Sequence, residues 1–411
     1  MINVKLKYKQ IYEKLLILLL GLSPIIDSLN GFLMESYSVS IGLIYRAFGL
    51  LIILFYTYNK NNVKNVIYIS IIIFYFGFIA LAYSLNHNSL SGLLNELSTA
   101  SKLVFIIAIV ESFKNVIKDK NYQRKVVNKI IKLNLILFPL CVLVPAILGI
   151  GFNVYHGAGN KGFFNANNEL GIVLSALFII ALDNLYIKLN IKNFVIFILI
   201  VFSMISIGSK IGLIFPAIAI AIYFIKGIVK INTKYKFITM IVICTLLIGI
   251  GINVFFRDML EKILNRQAWL YQNVESSLIF LILSGRNILL KIVHQDLVES
   301  PILLIRLLVG YGVYMKEKVI SLGYGSSNLK PVEMDLFDTF YSYGIIGIIL
   351  IYGYFMRILF KYGKLSNENF KYTLAYITIL ILGFLSGHVF WGAMSASMLG
   401  IIICGMIANK D

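Results

Sequence analysis

The chain has 411 residues, 59% of them hydrophobic, with a formal net charge of +18 and a mean hydropathy of +0.86. Such a composition excludes an ordinary soluble globule. Much of the positive charge falls in short connectors between apolar runs, which removes the nucleic-acid partner that +18 would otherwise suggest.

The basic start (Lys5, Lys7, Lys9 and Lys14) leads into an apolar run without a small-residue cleavage site, so it reads as a retained anchor, not a cleaved signal. A bilayer core needs about 20 apolar residues per helix. The predicted spans are 12–29, 39–58, 65–85, 93–113, 127–150, 167–187, 193–208, 211–229, 236–256, 340–360, 371–388 and 391–408. The fold class expected is all-α: a polytopic membrane helix bundle of about twelve transmembrane helices. Every second connector is basic, with Lys60 and Lys64, then Lys114, Lys118, Lys120, Arg124 and Lys125, then Lys188 and Lys192, then 226–236 and 357–371. The connectors at 30–40 and 86–91 carry neither lysine nor arginine. Short loops with this bias face the cytoplasm, which places both termini there. Three regions follow: 1–256 with nine helices, an extracytoplasmic loop at 257–339, and 340–411 with the last three. Cys141, Cys244 and Cys404 all lie in apolar runs, so no disulfide framework is expected.

Two apolar pieces interrupt the long loop, at 277–283 and 301–309. Extending the first into a crossing would bury Arg286 and Lys291, at about 2.5–3.5 kcal/mol each near the midplane. They read as amphipathic helices on the outer leaflet or the bundle rim. Two extra crossings would instead make fourteen helices.

Charges within the spans are functional candidates by default. For Asp27 and Arg46 the plainer account is mutual pairing, and for Lys102 it is snorkelling. Lys210 differs, since it follows Ile207-Gly208-Ser209 at the outer end of a helix. The stretch 162–171 carries Asn165, Asn167, Asn168 and Glu169 at the mouth of the sixth helix. Capping and the helix dipole use one asparagine and the glutamate, and the surplus, with Lys161 beside it, suits sugar hydroxyls. In the long loop, Ser284-Gly285-Arg286 follows an apolar stretch. The loop ends in Glu333, Asp335 and Asp338 before Tyr343-Gly344-Ile345-Ile346-Gly347, and helix N-terminal charge explains at most two of these carboxylates. With no histidine near them in sequence they do not predict a metal site. His87, His156, His294 and His388 are scattered, and no nucleotide-binding motif is present, so no cofactor is expected.

These features together resemble the O-antigen ligase/polymerase superfamily, the Wzy/WaaL-like membrane glycosyltransferases of the bacterial envelope. The resemblance runs over nearly the whole length and rests on 162–171, on Gly208-Ser209-Lys210-Ile211-Gly212-Leu213, and on Ser284-Gly285-Arg286 with 333–347. Two departures stand out. Lys210 occupies a place where the family commonly has arginine, which keeps the charge but loses the bidentate fork. Counting back from Gly344, Glu333 occupies the place of a histidine found in the ligases, which looks more like the polymerases of capsular polysaccharide and exopolysaccharide.

The resemblance implies a polymerase in the bacterial cytoplasmic membrane, with its active site facing outside. Donor and acceptor would be oligosaccharides on polyprenyl pyrophosphate. Flippase and chain-length regulator proteins are the implied partners, besides membrane lipid. Loss of pyrophosphate needs cations against the growing charge; Arg286 and Lys210 are the candidates, with Arg266 a third, as a substrate-binding group. Glu333 would be the general base, its pKa raised by partial burial, while Asp335 and Asp338 would orient it or bind sugar. Neither nucleotide nor metal is required. A ligase acting on finished glycan, a lipid-oligosaccharide flippase and a structural membrane protein are the alternatives.

Overall fold

The computed structural model describes residues 2–37, 39–58, 63–87, 90–155, 158–228, 283–366 and 368–410, together with Arg257, Glu261 and Asn265. The span at 236–256, Arg266, the side chain of Lys210 and most of the apolar piece at 277–283 lie outside the described residues.

Among the described residues the chain forms fifteen α-helices and one two-stranded hairpin. Helix α1 (Ile2–Leu16) runs through a π-helical turn, Ile17–Gly21, into α2 (Ser23–Tyr37), and the two halves are bent by 44°. The cause is local. Pro24 has no N–H to give Leu20, and its ring crowds that carbonyl. The carbonyl of Leu20 is satisfied by the Ser23 hydroxyl at 3.1 Å and the Asn134 amide at 2.9 Å.

Next come α3 (Ile41–Tyr58), α4 (Val63–His87), α5 (Leu90–Val116) and α6 (Lys120–Ile147). The hairpin of β1 (Asn153–Tyr155) and β2 (Ala158–Asn160) pairs antiparallel, Asn153 opposite Asn160. It leads to α7 (Asn167–Ile187), α8 (Ile191–Ile207) and α9 (Lys210–Ile228). After residue 283 come α10 (Arg286–Val298), α11 (Leu303–Val309) and α12 (Val313–Tyr324), then α13 (Asp335–Tyr362), α14 (Phe370–Ser386) and α15 (Ala393–Ala408). The predicted span 167–187 coincides with α7. Six described helices (α3 to α7 and α13) contain a stretch long and apolar enough to cross a membrane, or seven spans if the bent α1–α2 pair is one. Helices α8, α14 and α15 are shorter and apolar.

Helices α5, α7 and α15 are apolar around most of their circumference and are buried accordingly. They form the axis, with α15 packed on α5, α6 and α7. Around them Phe48, Phe74, Ile147 and Phe360 point outward, as lipid-facing residues do. At the lysine-rich ends the bundle is tied by ion pairs: buried Asp183 meets Lys371 at 3.4 Å and Lys226 at 3.7 Å, joining α7 to α14 and α9.

From residue 283 the long loop is folded on a small core of its own, with Val293, Leu297, Tyr311, Ile320, Val332, Met334 and Tyr341 buried together. The apolar piece at 301–309 forms α11, which packs on α13 and leaves Leu304, Ile305 and Leu308 exposed. That arrangement suits the rim position expected from its sequence. Helix α13 is broken at Gly344 (φ +60°, ψ −165°). A side chain there would put its Cβ 2.3 Å from the carbonyl carbon of Leu308. The break frees two carbonyls: Tyr341 accepts from Tyr311 N–H and Ser342 from Gly312 N–H, both at 2.8 Å. The loop is thereby stitched to the start of the helix, next to the candidate site.

Candidate active site

Three non-glycine residues among those described have left-handed φ values: Ser284 (+56°), Glu333 (+63°) and His388 (+67°). All three belong to one constellation. Ser284 and Gly285, both left-handed, turn the chain into α10 so that its first residue, Arg286, is buried. The Arg286 guanidinium donates through Nη1 to the Leu283 carbonyl (3.1 Å) and through Nη2 to Oε2 of Glu333 (2.7 Å). The other oxygen of Glu333, Oε1, lies 3.5 Å from Nε2 of His388. A carboxylate is thus held between a guanidinium from the long loop and an imidazole from the turn between α14 and α15.

The strained backbone is held by two carboxylates that sequence reading gave either to orienting Glu333 or to binding sugar. Asp338 accepts from the N–H groups of Val332 and Met334, both at 3.1 Å, gripping the chain on either side of Glu333. The Lys316 ammonium neutralises it. Asp335 accepts through Oδ2 from the N–H groups of Val389 (2.9 Å) and Phe390 (3.2 Å), fixing the turn that presents His388. Both aspartates are buried, and these bonds face protein backbone. Gly387, at φ +64°, lets this turn approach, since a Cβ there would fall 2.4 Å from the carbonyl carbon of Glu333. Left-handed non-glycine residues cost of order 1–3 kcal/mol each and persist where surrounding contacts over-determine them, characteristically at functional sites.

Burial alone would raise the Glu333 carboxyl, as the sequence led us to expect. It is outweighed by the hydrogen bond and charge of His388 and by the Arg286 guanidinium, which together hold Glu333 down at about 2. The expectation of a raised pKa is therefore corrected: two cations, invisible in the local sequence, reverse the sign. For His388 burial favours the neutral ring, but Glu333, Glu169 and Asp335 overcome it and raise the pKa above its ordinary value.

The asparagine cluster lies close by without capping α7. The N-cap position is Ala166, with no side-chain cap, and Asn167 and Asn168 sit in the first helical turn. Asn165 is exposed, and its carbonyl accepts from Lys161 at 2.6 Å. Glu169 reaches across instead, accepting from the Met394 N–H at 3.0 Å in the first turn of α15. This brings the 162–171 stretch against the turn carrying His388. Lys210 opens α9 after the left-handed Gly208, while Ser206, near the end of α8, donates to the Asn160 carbonyl at 3.0 Å.

Sequence reading missed His388 because it lies 55 residues beyond Glu333 and in no motif. The available signal was Gly387-His388, a glycine and a titratable group in the very short turn between the last two helices. Among the described residues no group of three or more His, Cys, Asp or Glu is arranged to hold a metal.

A multi-pass membrane helix bundle with a strained, ion-paired polar site where its long loop meets the last helices is the class these features define. The family model of O-antigen ligase-like membrane proteins matches residues 9–264 and 260–410, and the chain belongs to that family. No curated protein matches it. Membership carries with it a role in membrane glycan processing, of the glycosyltransferase type.

Proposed function

We propose that the protein is a polymerase joining lipid-pyrophosphate-linked oligosaccharide repeat units into a surface polysaccharide, at the outer face of the cytoplasmic membrane. The observation that carries this reading is the Arg286–Glu333–His388 constellation, with all three left-handed non-glycine residues of the described chain in or beside it. In the reaction the bond between the donor sugar and pyrophosphate breaks, and the acceptor hydroxyl forms the new glycosidic bond. Pyrophosphate leaves as an anion and the hydroxyl proton passes to a base.

Arg286 neutralises the leaving pyrophosphate, with Lys210 as second cation and Arg266 as a further candidate for donor binding. In the resting site Glu333 is ionised but a weak base. A pyrophosphate that draws Arg286 away strips the carboxylate of one counter-charge, and burial then strengthens it as a base when donor is present. His388 holds the carboxylate in place, while Asp335 and Asp338 position the two turns. Asn165, Asn167 and Asn168 remain candidates for sugar hydroxyls.

One observation favours the ligase as a second reading. Glu333 replaces the expected histidine in sequence, yet His388 supplies an imidazole 3.5 Å from it. Deletion followed by gel analysis of surface glycan separates the readings. Loss of the ladder with single repeats retained supports the polymerase. Finished glycan stranded on its carrier means a ligase, and repeat units trapped inside the cell mean a flippase.

A further inference from the structure

A cavity of about 370 Å³ opens between α2, α3, α5 and the starts of α7 and α15, near the low end of the roughly 300–1,000 Å³ typical of ligand pockets. Its walls include Asn30 and Ser40 from the first lysine-free connector and its flanking helix, and Asn165 from the 162–171 stretch. It therefore opens on the face that bears the candidate active site. Its depth is marked by Lys102, which lies 12 residues into α5, about 18 Å along the helix axis at 1.5 Å per residue.

The lining charges balance in number, Asp27 and Glu169 against Arg46 and Lys102, but only one pair is in contact. Arg46 is committed to Asp27 in an ion pair, as the sequence suggested. Glu169 is held by the Met394 N–H, and its charge acts on His388. Lys102 has no such contact. The charges of Glu169 and Glu317 reach it, but among the described residues no carboxylate lies within 4.0 Å of its ammonium. A cation at this depth without a close partner is costly unless something supplies the counter-charge. Around it Ser98, Ser101, Asn30 and Asn165 present hydroxyls and amides, the groups that bond sugar hydroxyls. The cavity shares a wall with the active site: a Cβ on Gly392 would meet both the His388 carbonyl at 2.1 Å and Glu169 Cδ at 2.5 Å.

We propose that this cavity is a saccharide subsite for an acidic sugar, whose carboxylate pairs with Lys102 while neighbouring amides and hydroxyls bond the ring. The proposal rests on the glycan-processing reading above and deepens it by naming a substrate class: repeat units containing a carboxylated sugar. The charge count favours a carboxylate over the carrier's pyrophosphate. One unpaired ammonium matches a single negative charge, whereas pyrophosphate brings more than one and Arg46 is already neutralised.

The test measures binding to the purified full-length protein, without turnover, so its outcome is separate from any loss of polymer in cells. With Trp269→Phe, Trp391, two residues before Ala393 of the cavity lining, is the only tryptophan and reports occupancy by fluorescence. The probes are a glucuronosyl-glucose disaccharide, its neutral glucosyl-glucose counterpart and inorganic pyrophosphate. The acidic disaccharide is expected to bind at least ten-fold tighter than the neutral one. Lys102→Met should abolish that preference without lowering the thermal stability of the unliganded protein, and Lys102→Arg should retain it. Equal binding of the two disaccharides, an unchanged preference in Lys102→Met, or a lower melting temperature for that variant would overturn the proposal. Displacement by pyrophosphate at lower concentration than the acidic disaccharide would also overturn it, assigning the cavity to the carrier.

Discussion

Glu333 and His388 perturb each other in opposite directions, and the pH limits of their contribution follow from that. Glu333 has its pKa depressed from 4.5 to about 2, so its stabilisation is complete above the unfolded value and is lost as pH falls from about 4.5 towards 2. The His388 pKa is raised above 6.5, so its contribution is full below that value and is lost as pH rises through the folded pKa. The pair is jointly stabilising between these limits. With His388 assigned by comparison with His388→Asn, its imidazole resonance in histidine-labelled protein should titrate above pH 6.5, and Glu333→Gln should move the midpoint down. A midpoint at or below 6.5 in the unmodified protein would remove the ion pair from the account. The partners of Glu333 lie 47 and 55 residues away, which is why sequence neighbours gave the wrong direction for its pKa.

At the scale of elements, the site is held where α13 begins. Asp338 grips both neighbours of Glu333 and is itself neutralised by Lys316, both side chains being buried. Removing one charge from such a pair strands the other, at a cost of about 3–5 kcal/mol. Asp338→Asn should therefore lower the thermal midpoint in detergent clearly. The double variant Asp338→Asn with Lys316→Met should recover part of the loss, and a single variant as stable as the parent would contradict the pairing. This arrangement was only half legible in sequence. Helix positions were readable because apolar length sets them, and α7 coincides with its predicted span. The aspartates were singled out with Glu333 as a cluster before the helix, but their use on backbone N–H groups of two separate turns depends on the Gly344 break and the Gly387 approach. Conversely, one asparagine of the 165–168 cluster was expected to cap α7, but Ala166 takes the N-cap position with no side-chain cap, and Glu169 crosses to α15.

At the scale of the whole molecule, the lysine-rich connectors predict an orientation that puts the site outside. In a cysteine-free background, a cysteine replacing exposed Ser327 should react with an impermeant maleimide on intact spheroplasts. One replacing Lys188 should react only after permeabilisation, and the opposite pattern would invert the bundle. The axis of α5, α7 and α15 follows from helices apolar around most of their circumference, whereas no local pattern encodes the meeting of the long loop with the last inter-helix turn.

The most direct test is the length distribution of surface glycan in cells whose only copy carries Arg286→Ala, with membrane insertion and protein level checked. Single repeat units and no ladder are expected, with Arg286→Lys recovering at most a small part because the two-point grip on Leu283 and Glu333 is lost. A full-length ladder from stably inserted Arg286→Ala would show that the guanidinium takes no part in the reaction and would contradict the central claim.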